Sequence, residues 1–260
     1  MTVHFIGAGP GAADLLTVRA VRLIESSAVC VYAGTYVGRE ILAHCPSGTE
    51  LIDSASLDLD SIIGRMFKAH EEGKDVARLC SGDPSLYSAL AEQTRRLDRV
   101  GVPWDVTPGV PSYAAAAALL GRELTVPEVA QTVILTRAQR DSTAMPVTES
   151  LVELARSRAT LVLHLAIRHT RELAGRLAPI YGADCPTVVV ADATRPRQRI
   201  LRGTLADIAD QVEAAELRQA AVIMVGEVFR AAGFVESHLY SKRSRDAATD
   251  AAPGGDHGTG

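Results

Sequence analysis

Aromatic side chains are scarce in this sequence, which has one Trp, four Phe and six Tyr among 260 residues. Hydrophobic residues nevertheless make up 47% of the chain, so aliphatic side chains and Ala must fill most of the core. Sheets covered by helices have cores of this kind, because their buried strands are runs of aliphatic residues. The composition therefore favours an α/β fold, and the length allows one large domain or two of modest size.

Features of several other protein classes are also missing. There is no run of about 18 apolar residues, and the N-terminus has no basic segment followed by an apolar one, so we expect neither a membrane span nor an export signal. The net charge of -4 lacks the basic excess that nucleic-acid-binding proteins usually carry. We therefore expect no membrane partner and no nucleic acid partner.

Cysteine is sparse, and the four cysteines form no Cys-x-x-Cys pair. Cys30 and Cys80 fall in apolar runs, where a buried, unreactive thiol is expected. His4 also falls in an apolar run and is expected to be a satisfied buried side chain. His164 and His169 are five residues apart, which is not a metal-site spacing. We therefore expect a reduced, cytoplasmic protein with no bound metal.

Strand and helix patterns alternate along the chain, as α/β folds require. In the first half we predict helices over 15–27 and 60–72, a helix that follows Pro84, and a helix over 112–120. The strand and helix pattern of the second half predicts a second α/β unit with a more antiparallel sheet.

The predicted organisation has four parts. A first α/β domain spans 1–121, a connector spans 122–128, and a second α/β domain spans 129–240. The last segment, 241–260, is polar and rich in Gly, Ala and Asp, a composition that predicts disorder.

A glycine-rich loop follows the first predicted strand. Its sequence is Gly7-Ala8-Gly9-Pro10-Gly11, and its glycines would let the backbone approach a ligand closely. The spacing also fits the relaxed dinucleotide fingerprint. However, Pro10 lacks an N–H donor for a pyrophosphate, and the strand over 28–32 is not followed by an acid that could hold a ribose. A nicotinamide-dependent oxidoreductase is therefore a poor alternative.

Two more loops of small residues follow strands in the same half. Strand 76–80 opens into Ser81-Gly82-Asp83-Pro84, and strand 104–107 opens into Pro108-Gly109-Val110-Pro111-Ser112-Tyr113. In an open α/β sheet such loops lie along one edge, where ligands bind. With these three loops the chain resembles the tetrapyrrole (class III) S-adenosylmethionine-dependent methyltransferases over roughly residues 1–240.

Three further stretches resemble the subgroup of that family that methylates C-11 of precorrin-4: Tyr32–Thr35, Gly121–Val129 and Gln131–Arg137. The resemblance implies methyl transfer from S-adenosylmethionine to this anionic tetrapyrrole, giving precorrin-5 in cobalamin biosynthesis. It also implies a homodimer of two-domain subunits, each with a mostly parallel N-terminal sheet, a mixed C-terminal sheet and the cofactor in the interdomain cleft. Because a sulfonium is already an activated leaving group, no strong general acid or base is required, and the catalytic residue is left unknown.

The resemblance places ten residues near the cofactor. Simpler interpretations exist for two of them, since an Asp before Pro often forms a turn or caps a helix, and Ser112 is an ordinary N-cap candidate. Pro10 is expected also to border the substrate trough. The cofactor set is Pro10, Ser81, Gly82, Asp83, Leu86, Ser112, Tyr113, Ala166, Ala193 and Gly226.

Arginines are candidates for holding the carboxylates of a corrin precursor, because guanidinium groups bind carboxylates well. Arg195, Arg197 and Arg199 alternate, so an extended backbone would point all three to one face. A solvated surface is the alternative for each of them. Arg140 would add positive charge near the cleft. The predicted substrate set is Gly9, Gly11, Tyr32, Arg122, Arg137, Arg195, Arg197 and Arg199.

Alternatives within the fold stay open. In one alternative the substrate is cobalt-precorrin-4, and in another the methylated atom is a different carbon of the ring. Diphthine synthase is a more distant alternative, which the loop at Tyr32 and the segment 122–137 oppose. The least specific alternative is a cofactor-binding protein without catalytic activity. Such a protein would carry three ligand-type loops without any turnover, which speaks against it.

Overall fold

Two five-stranded sheets form the framework of the chain. The computed structural model describes residues 1–138 and 144–234. The predicted tail over 241–260, the end of the predicted second domain over 235–240, and Arg140 lie outside the described residues. The domain boundaries proposed from the sequence stay a prediction, whereas the two sheets can be described strand by strand.

The first sheet is entirely parallel, with the strand order β3-β2-β4-β1-β5. Parallel pairing places all five carboxyl ends at one edge, so the three loops of small residues emerge side by side. The central strands are buried along their length, which explains why their sequences are apolar runs. The strands are β1 Val3–Gly7, β2 Val29–Tyr32, β3 Glu50–Asp53, β4 Val76–Cys80 and β5 Trp104–Thr107.

The second sheet is mixed, with the order β6-β7-β10-β8-β9. Only β6 and β7 pair in parallel, and the other three pairs are antiparallel. This confirms the predicted fold class, a parallel sheet followed by a mixed one. The strands are β6 Val133–Arg137, β7 Thr160–His164, β8 Pro186–Ala191, β9 Arg199–Thr204 and β10 Ala221–Val225.

Eight α-helices connect and cover the sheets within the described residues. The third helix shows how local sequence sets the boundaries, because the Asp58 carboxylate accepts a hydrogen bond from the Ser61 N–H at 2.7 Å. Gly73 then ends the helical segment with φ at +75°. The helices are α1 Val18–Ser26, α2 Arg39–Leu42, α3 Leu59–Glu71, α4 Leu90–Arg99, α5 Ser112–Leu120, α6 Leu151–Ala155, α7 Thr170–Tyr181 and α8 Ile208–Ala214.

The helix predicted directly after Pro84 begins later than expected. Tyr87 and Ala89 have φ of +53° and +55°, a left-handed conformation that a right-handed helix cannot contain. Residues 84–89 therefore form an irregular loop, and α4 starts at Leu90. The first helix is also shorter than predicted, because the Thr17 hydroxyl caps it by accepting from the Ala20 N–H at 3.1 Å.

Helix α5 packs under the second sheet although it follows the first sheet in the chain. Ala115, Ala116 and Leu120 belong to the same buried cluster as Val162 of β7 and Met224 of β10. The first sheet is therefore tied to the second by a helix as well as by the connector. This packing fixes the position of the loop at Pro111, which starts α5, against the second half of the chain.

The core is aliphatic, as the scarcity of aromatic residues predicts. Phe5 is the one aromatic residue among the twelve largest fully buried side chains of the described chain. Cys30 and Cys80 are buried, and burial raises the pKa of the Cys80 thiol to about 11, so both stay protonated as expected. Within the described residues, no helix combines the length and hydropathy that crossing a bilayer requires.

Candidate active site

The loops after β1 and β4 are joined through their backbones. The Gly9 N–H donates to the Gly82 carbonyl at 3.1 Å, and the Gly82 N–H donates to the Gly9 carbonyl at 2.8 Å. Both residues have positive φ, +70° for Gly9 and +67° for Gly82, which glycine adopts without strain. The glycine-rich loop is therefore held at the carboxyl edge of the sheet, next to the loop that contains Asp83.

The third loop approaches the other two so closely that side chains are excluded. A Cβ on Gly109 would lie 2.3 Å from the Gly82 carbonyl oxygen and 2.8 Å from the Cα of Gly7. The sequence-based expectation was that Gly7 makes room for a ligand; in the structure it makes room for Gly109. Gly11 likewise faces the Arg195 side chain, whose Cγ would be 2.5 Å from an added Cβ.

Asp83 links the second loop to the third. Its Oδ2 accepts from the Gly109 N–H at 2.8 Å, and its Oδ1 accepts from the Ser85 N–H at 2.8 Å and from the Ser85 hydroxyl. Burial opposes ionisation of this carboxyl, but the hydrogen bonds outweigh it and hold the pKa below its usual range. The ionised Asp83 carboxylate therefore holds the second and third loops together. Asp83 also forms a turn, as the simpler interpretation predicts.

A cavity of about 440 Å³ lies where these loops face the second sheet. One wall comes from the loops after β1, β2 and β4 and from the start of α5. The opposite wall comes from the ends of β7, β8 and β10 and from the segments that follow or precede them. This volume lies within the range typical of small-molecule sites, about 300–1,000 Å³.

Eight of the predicted site residues line this cavity together. They come from both halves of the chain, so folding brings together positions more than 180 residues apart. The eight are Pro10, Ser81, Gly82, Asp83, Leu86, Ser112, Ala193 and Arg195. Ser112 is the first residue of α5 and Pro111 occupies the N-cap position without a capping side chain, so the interpretation of Ser112 as an ordinary N-cap is wrong.

Two other predicted cofactor residues, Ala166 and Tyr113, lie beside residues of the cavity wall. Ala166 is fully buried between Leu165 and Ile167, which do line the cavity. Tyr113 places its ring 6.4 Å from that of His164. The roles predicted for these two residues toward a cofactor stay predictions. Gly226 does not join them: Ala221 and Val222 at the start of β10 line the cavity, whereas Gly226 follows the opposite end of this strand, where its N–H donates to the Pro186 carbonyl at 3.1 Å.

The alternating arginines do not lie on one face, contrary to the expectation. Asp192 and Thr194 have φ of +47° and +65°, so the chain turns between β8 and β9 and only Arg199 lies in a strand. Arg195 points into the cavity, where its Nη1 is 3.5 Å from Asp192 Oδ1, and it donates to the Tyr36 carbonyl. Arg197 is 70% exposed and pairs with the other oxygen of the Asp192 carboxylate at 3.1 Å.

The remaining members of the predicted substrate set lie outside the cavity wall. Arg122 donates to the Ala231 carbonyl at 2.9 Å, Arg199 donates to the Ala215 carbonyl at 2.9 Å, and Arg137 donates to the Ala138 carbonyl at 3.3 Å. Gly9 and Gly11 shape the neighbouring loop. Tyr32 ends β2, and the next residue, Ala33, reaches the cavity.

The sequence analysis missed many residues of the wall, among them Tyr87, His164 and Asp192. Burial lowers the pKa of His164 to about 4, so its imidazole is neutral. His164 Nε2 and Asp192 Oδ1 are the fully buried side-chain atoms without a hydrogen-bond partner in the described part of the chain. Asp192 Oδ1 still lies 3.5 Å from Arg195 Nη1, whereas an orphaned polar atom such as His164 Nε2 is costly unless water or a ligand satisfies it.

The ring of Tyr87 lies 5.4 Å from that of His164. Tyr87 is 45% exposed and has positive φ, a strained conformation that tends to occur at functional sites. The one available signal for Tyr87 was its position five residues beyond Gly82 in a loop already assigned to the site.

Positive charge prevails on the wall. The cavity is lined by four arginines, Arg78, Arg168, Arg195 and Arg218, and by two carboxylates, Asp83 and Asp192. The Asp83 charge is already satisfied by N–H donors. The lining therefore favours an anionic ligand. Across residues 1–138 and 144–234, no three His, Cys, Asp or Glu side chains come together as a metal site would need.

Comparisons with known proteins agree with this geometry. The family model described as Tetrapyrrole (Corrin/Porphyrin) Methylases matches residues 2–209. A protein of Rhodococcus erythropolis named precorrin-4 C(11)-methyltransferase is 57% identical over 241 residues, covering 93% of this chain and 97% of its own.

Two solved structures extend the comparison. A cobalt precorrin-4 methyltransferase, described as a cobalamin biosynthetic enzyme, superposes with a TM-score of 0.85 at 37% identity over 88% of this chain and 95% of its own. The uroporphyrin-III C-methyl transferase of Thermus thermophilus, complexed with S-adenyl homocysteine, gives a TM-score of 0.75 at 28% identity over 92% and 97%. The family resemblance read from the three loops is thereby confirmed: the chain belongs to the tetrapyrrole (corrin/porphyrin) methylases.

Proposed function

We propose that the protein transfers a methyl group from S-adenosylmethionine to C-11 of precorrin-4, giving precorrin-5 and S-adenosylhomocysteine. The observation that carries this proposal is the arginine-rich cavity between the three loops and the second sheet. The Rhodococcus relative, which covers nearly the same length, supports the choice of substrate and ring carbon.

The cavity fits the cofactor by size and by chemistry. Its volume suits a ligand of this class, and the arginines on its wall suit the carboxylate at the amino-acid end of the cofactor. When bound, S-adenosylmethionine supplies an activated methyl group. The Thermus relative, which is complexed with S-adenyl homocysteine, supports a cofactor of this class here.

The residues of this chain contribute alignment and exclusion of water. The braced loops around Asp83 present a rigid wall, and rigid positioning lowers the barrier of a bimolecular transfer by several kcal/mol. The second sheet covers the opposite side, so the reacting centres are removed from water. No acid–base pair is needed for the transfer itself, because the sulfonium is already an activated leaving group.

A corrin precursor carries several acetate and propionate groups, and the cavity arginines suit such a ligand. The relative named for precorrin-4 is 57% identical, whereas the structure named for cobalt precorrin-4 is 37% identical. This difference supports the metal-free substrate over the cobalt-containing one.

The first test is calorimetric titration with S-adenosylmethionine, S-adenosylhomocysteine and NADH. Binding of the two adenosyl compounds without NADH binding is expected, and the reverse would restore the dinucleotide alternative. The second test is an anaerobic assay with precorrin-4 and cobalt-precorrin-4 in parallel. The proposal requires a methylated product from precorrin-4, and methylation of cobalt-precorrin-4 alone would transfer the assignment to the cobalt substrate.

We further propose a homodimer in the cytoplasm. Trp104 and Val106 on the edge strand β5 are 37% and 39% exposed, an apolar edge that a second subunit would cover. All four cysteines are free thiols, as a reducing compartment permits. Light scattering of the purified protein and fractionation of cells test these two statements separately.

A further inference from the structure

Arg78 is a buried cation that reaches the cavity from the middle of the first sheet. It lies in β4, is 9% exposed, and lines the cavity. Its guanidinium is held in place from three sides. Nε donates to Gln93 Oε1 at 3.0 Å, and Nη1 donates to Ser54 Oγ at 3.2 Å and to the Val31 carbonyl at 3.5 Å.

None of these partners carries a negative charge. Within the described residues, Arg78 has no Asp or Glu oxygen within 4.0 Å, although most other buried guanidinium groups in proteins are paired. Burial lowers the pKa of Arg78 from its ordinary value. The guanidinium is still a cation at neutral pH because its ordinary pKa lies far above neutrality.

One nitrogen of this guanidinium remains open. Nη2 has no hydrogen-bond partner in the described part of the chain, and it is not among the fully buried atoms in that state, which are His164 Nε2 and Asp192 Oδ1. Nη2 is therefore accessible, and the accessible space beside Arg78 is the cavity.

Gln93 makes the orientation of this group rigid. Its Nε2 donates to the carbonyls of Ser88 at 3.1 Å and Ala89 at 3.2 Å, which turns Oε1 toward Arg78. Because Gln93 is 1% exposed, this arrangement does not depend on surface side chains. A fixed guanidinium with one free edge is preorganised to receive an anion, and carboxylate geometry suits it.

We propose that Arg78 is a carboxylate-binding site of the cavity, with Nη2 as the donor to an acid group of the bound ligand. The inference rests on the proposed function, in which two ligands bring carboxylates: the acetate and propionate arms of the tetrapyrrole, and the amino-acid end of the methyl donor. The residue has no role in the set inferred from the sequence.

The test compares Arg78→Met and Arg78→Lys with the wild type in two binding assays that need no turnover. Uroporphyrin III, a tetrapyrrole with eight carboxylates, is titrated by fluorescence. S-adenosylhomocysteine and its analogue without the carboxylate are titrated by calorimetry. A charge-assisted hydrogen bond lost to Met should weaken the ligand that uses it on the order of ten- to hundredfold.

The two arms distinguish the source of the carboxylate. If the tetrapyrrole supplies it, Arg78→Met weakens uroporphyrin III alone. If the methyl donor supplies it, the wild type discriminates against the analogue without the carboxylate and Arg78→Met does not. Arg78→Lys keeps the charge but shortens the reach, and an intermediate affinity is expected.

Gln93→Glu provides a second variant that keeps the volume of the site and the guanidinium. It places a carboxylate beside Nε, which neutralises Arg78 from within the protein and should weaken the same ligand in the same assay. Arg176→Met, at a half-exposed position of α7 paired with Glu172, is the charge-matched control. If Arg78→Met does not fold, Gln93→Glu decides the question.

The inference is overturned if folded Arg78→Met or Gln93→Glu binds both ligands as the wild type does, or if the wild type binds neither. The proposed function is tested separately, by turnover of precorrin-4. A wild type that turns over precorrin-4 while the Arg78 variants keep their affinities would leave the function standing and remove Arg78 from it.

Discussion

The Asp83 carboxylate and the Gly109 amide meet at 2.8 Å and join the loops that follow β4 and β5. These strands are separated by β1 in the sheet, so the hydrogen bond passes over the end of β1. Gly7 ends that strand and leaves the space for Gly109. One side chain and two glycines therefore set the shape of the cavity wall before any ligand binds.

Replacing Asp83 by Asn should lower both stability and cofactor affinity. The amide keeps the volume but loses the charge that strengthens the bonds from Gly109 and Ser85, so we expect a loss of about 1–3 kcal/mol in the free energy of unfolding. We also expect S-adenosylhomocysteine to bind about tenfold more weakly. Urea unfolding and calorimetry measure the two effects.

Asp207 provides the matched control for this prediction. Its carboxylate also accepts from a backbone N–H, that of Thr204 at 2.6 Å, and these bonds lower its pKa. Asp207 does not line the cavity. Asp207→Asn should therefore cost stability without changing cofactor affinity, and an Asp83→Asn variant that behaves in the same way would reduce Asp83 to a turn former.

Gly109→Ala should disrupt the wall by steric conflict. The added Cβ would lie 2.3 Å from the Gly82 carbonyl oxygen, and backbone on both sides cannot yield as a flexible side chain could. We expect a loss of several kcal/mol in stability, or loss of cofactor binding with a shifted loop. Thermal unfolding and calorimetry measure both outcomes.

Gly175→Ala in α7 is the corresponding control, since nothing lies within 4 Å of the added Cβ. It should be neutral or stabilising by up to about 1 kcal/mol, because Ala is the better helix former. If Gly109→Ala matches Gly175→Ala in stability and binding, the close approach of the loops is not a requirement of the site.

Much of the fold could be predicted from the sequence because the central strands are buried on both faces. β4 and β7 are buried at every position, so each is a continuous apolar run. β3 was not predicted from the sequence. Glu50, Leu51 and Asp53 are exposed, so this strand lacks an apolar pattern. α2 is only four residues long, too short for a helical period to show.

The part of the candidate site that is built from the three loops could be predicted from the sequence. The part that depends on contacts between residues distant in the chain could not. The alternation of Arg195, Arg197 and Arg199 places them on one face only if the backbone is extended. Positive φ at Asp192 and Thr194 turns the chain there, and a charge pattern carries no information on φ. His164 was a single polar residue ending an apolar strand. Its importance depends on Tyr87 and Tyr113, which are far away in the sequence.

The stability of the protein should depend on pH through His164. Burial lowers the pKa of this imidazole from 6.5 to about 4, so between these values the unfolded chain binds a proton that the folded chain does not. The free energy of unfolding should therefore fall as the pH drops below 6.5, by up to about 1.4 kcal/mol per pH unit. It should be unaffected by this group at higher pH.

His164→Phe should remove this part of the pH dependence. Urea unfolding of the wild type at pH 7 and pH 5 should show a loss of about 2 kcal/mol from this group, and the variant should lose correspondingly less. His44→Phe is the control at a more exposed position. This variant should lose as much free energy of unfolding between pH 7 and pH 5 as the wild type does. Equal losses in the wild type and His164→Phe would mean that the imidazole is protonated within the fold or accessible to water.

Arg195 and Arg197 should differ in their effects on substrate, although both contact Asp192. Arg195 faces the cavity with its side chain 16% exposed, whereas Arg197 is 70% exposed. A partly buried guanidinium interacts more strongly with a carboxylate than one screened by water. Arg195→Gln should therefore raise the KM for precorrin-4 about tenfold, and Arg197→Gln should change it by less than about threefold.

Steady-state assays measure KM and kcat of both variants, and thermal unfolding measures their melting temperatures. If the melting temperatures are equal, a change in KM reports on substrate binding and not on folding. Because Arg195 also donates to the Tyr36 carbonyl, a structural role alone would lower the melting temperature and leave KM unchanged. Substrate binding in the cavity requires the opposite pattern, a raised KM with kcat less affected. A larger effect of Arg197→Gln would move the substrate carboxylates to the outer face of the turn.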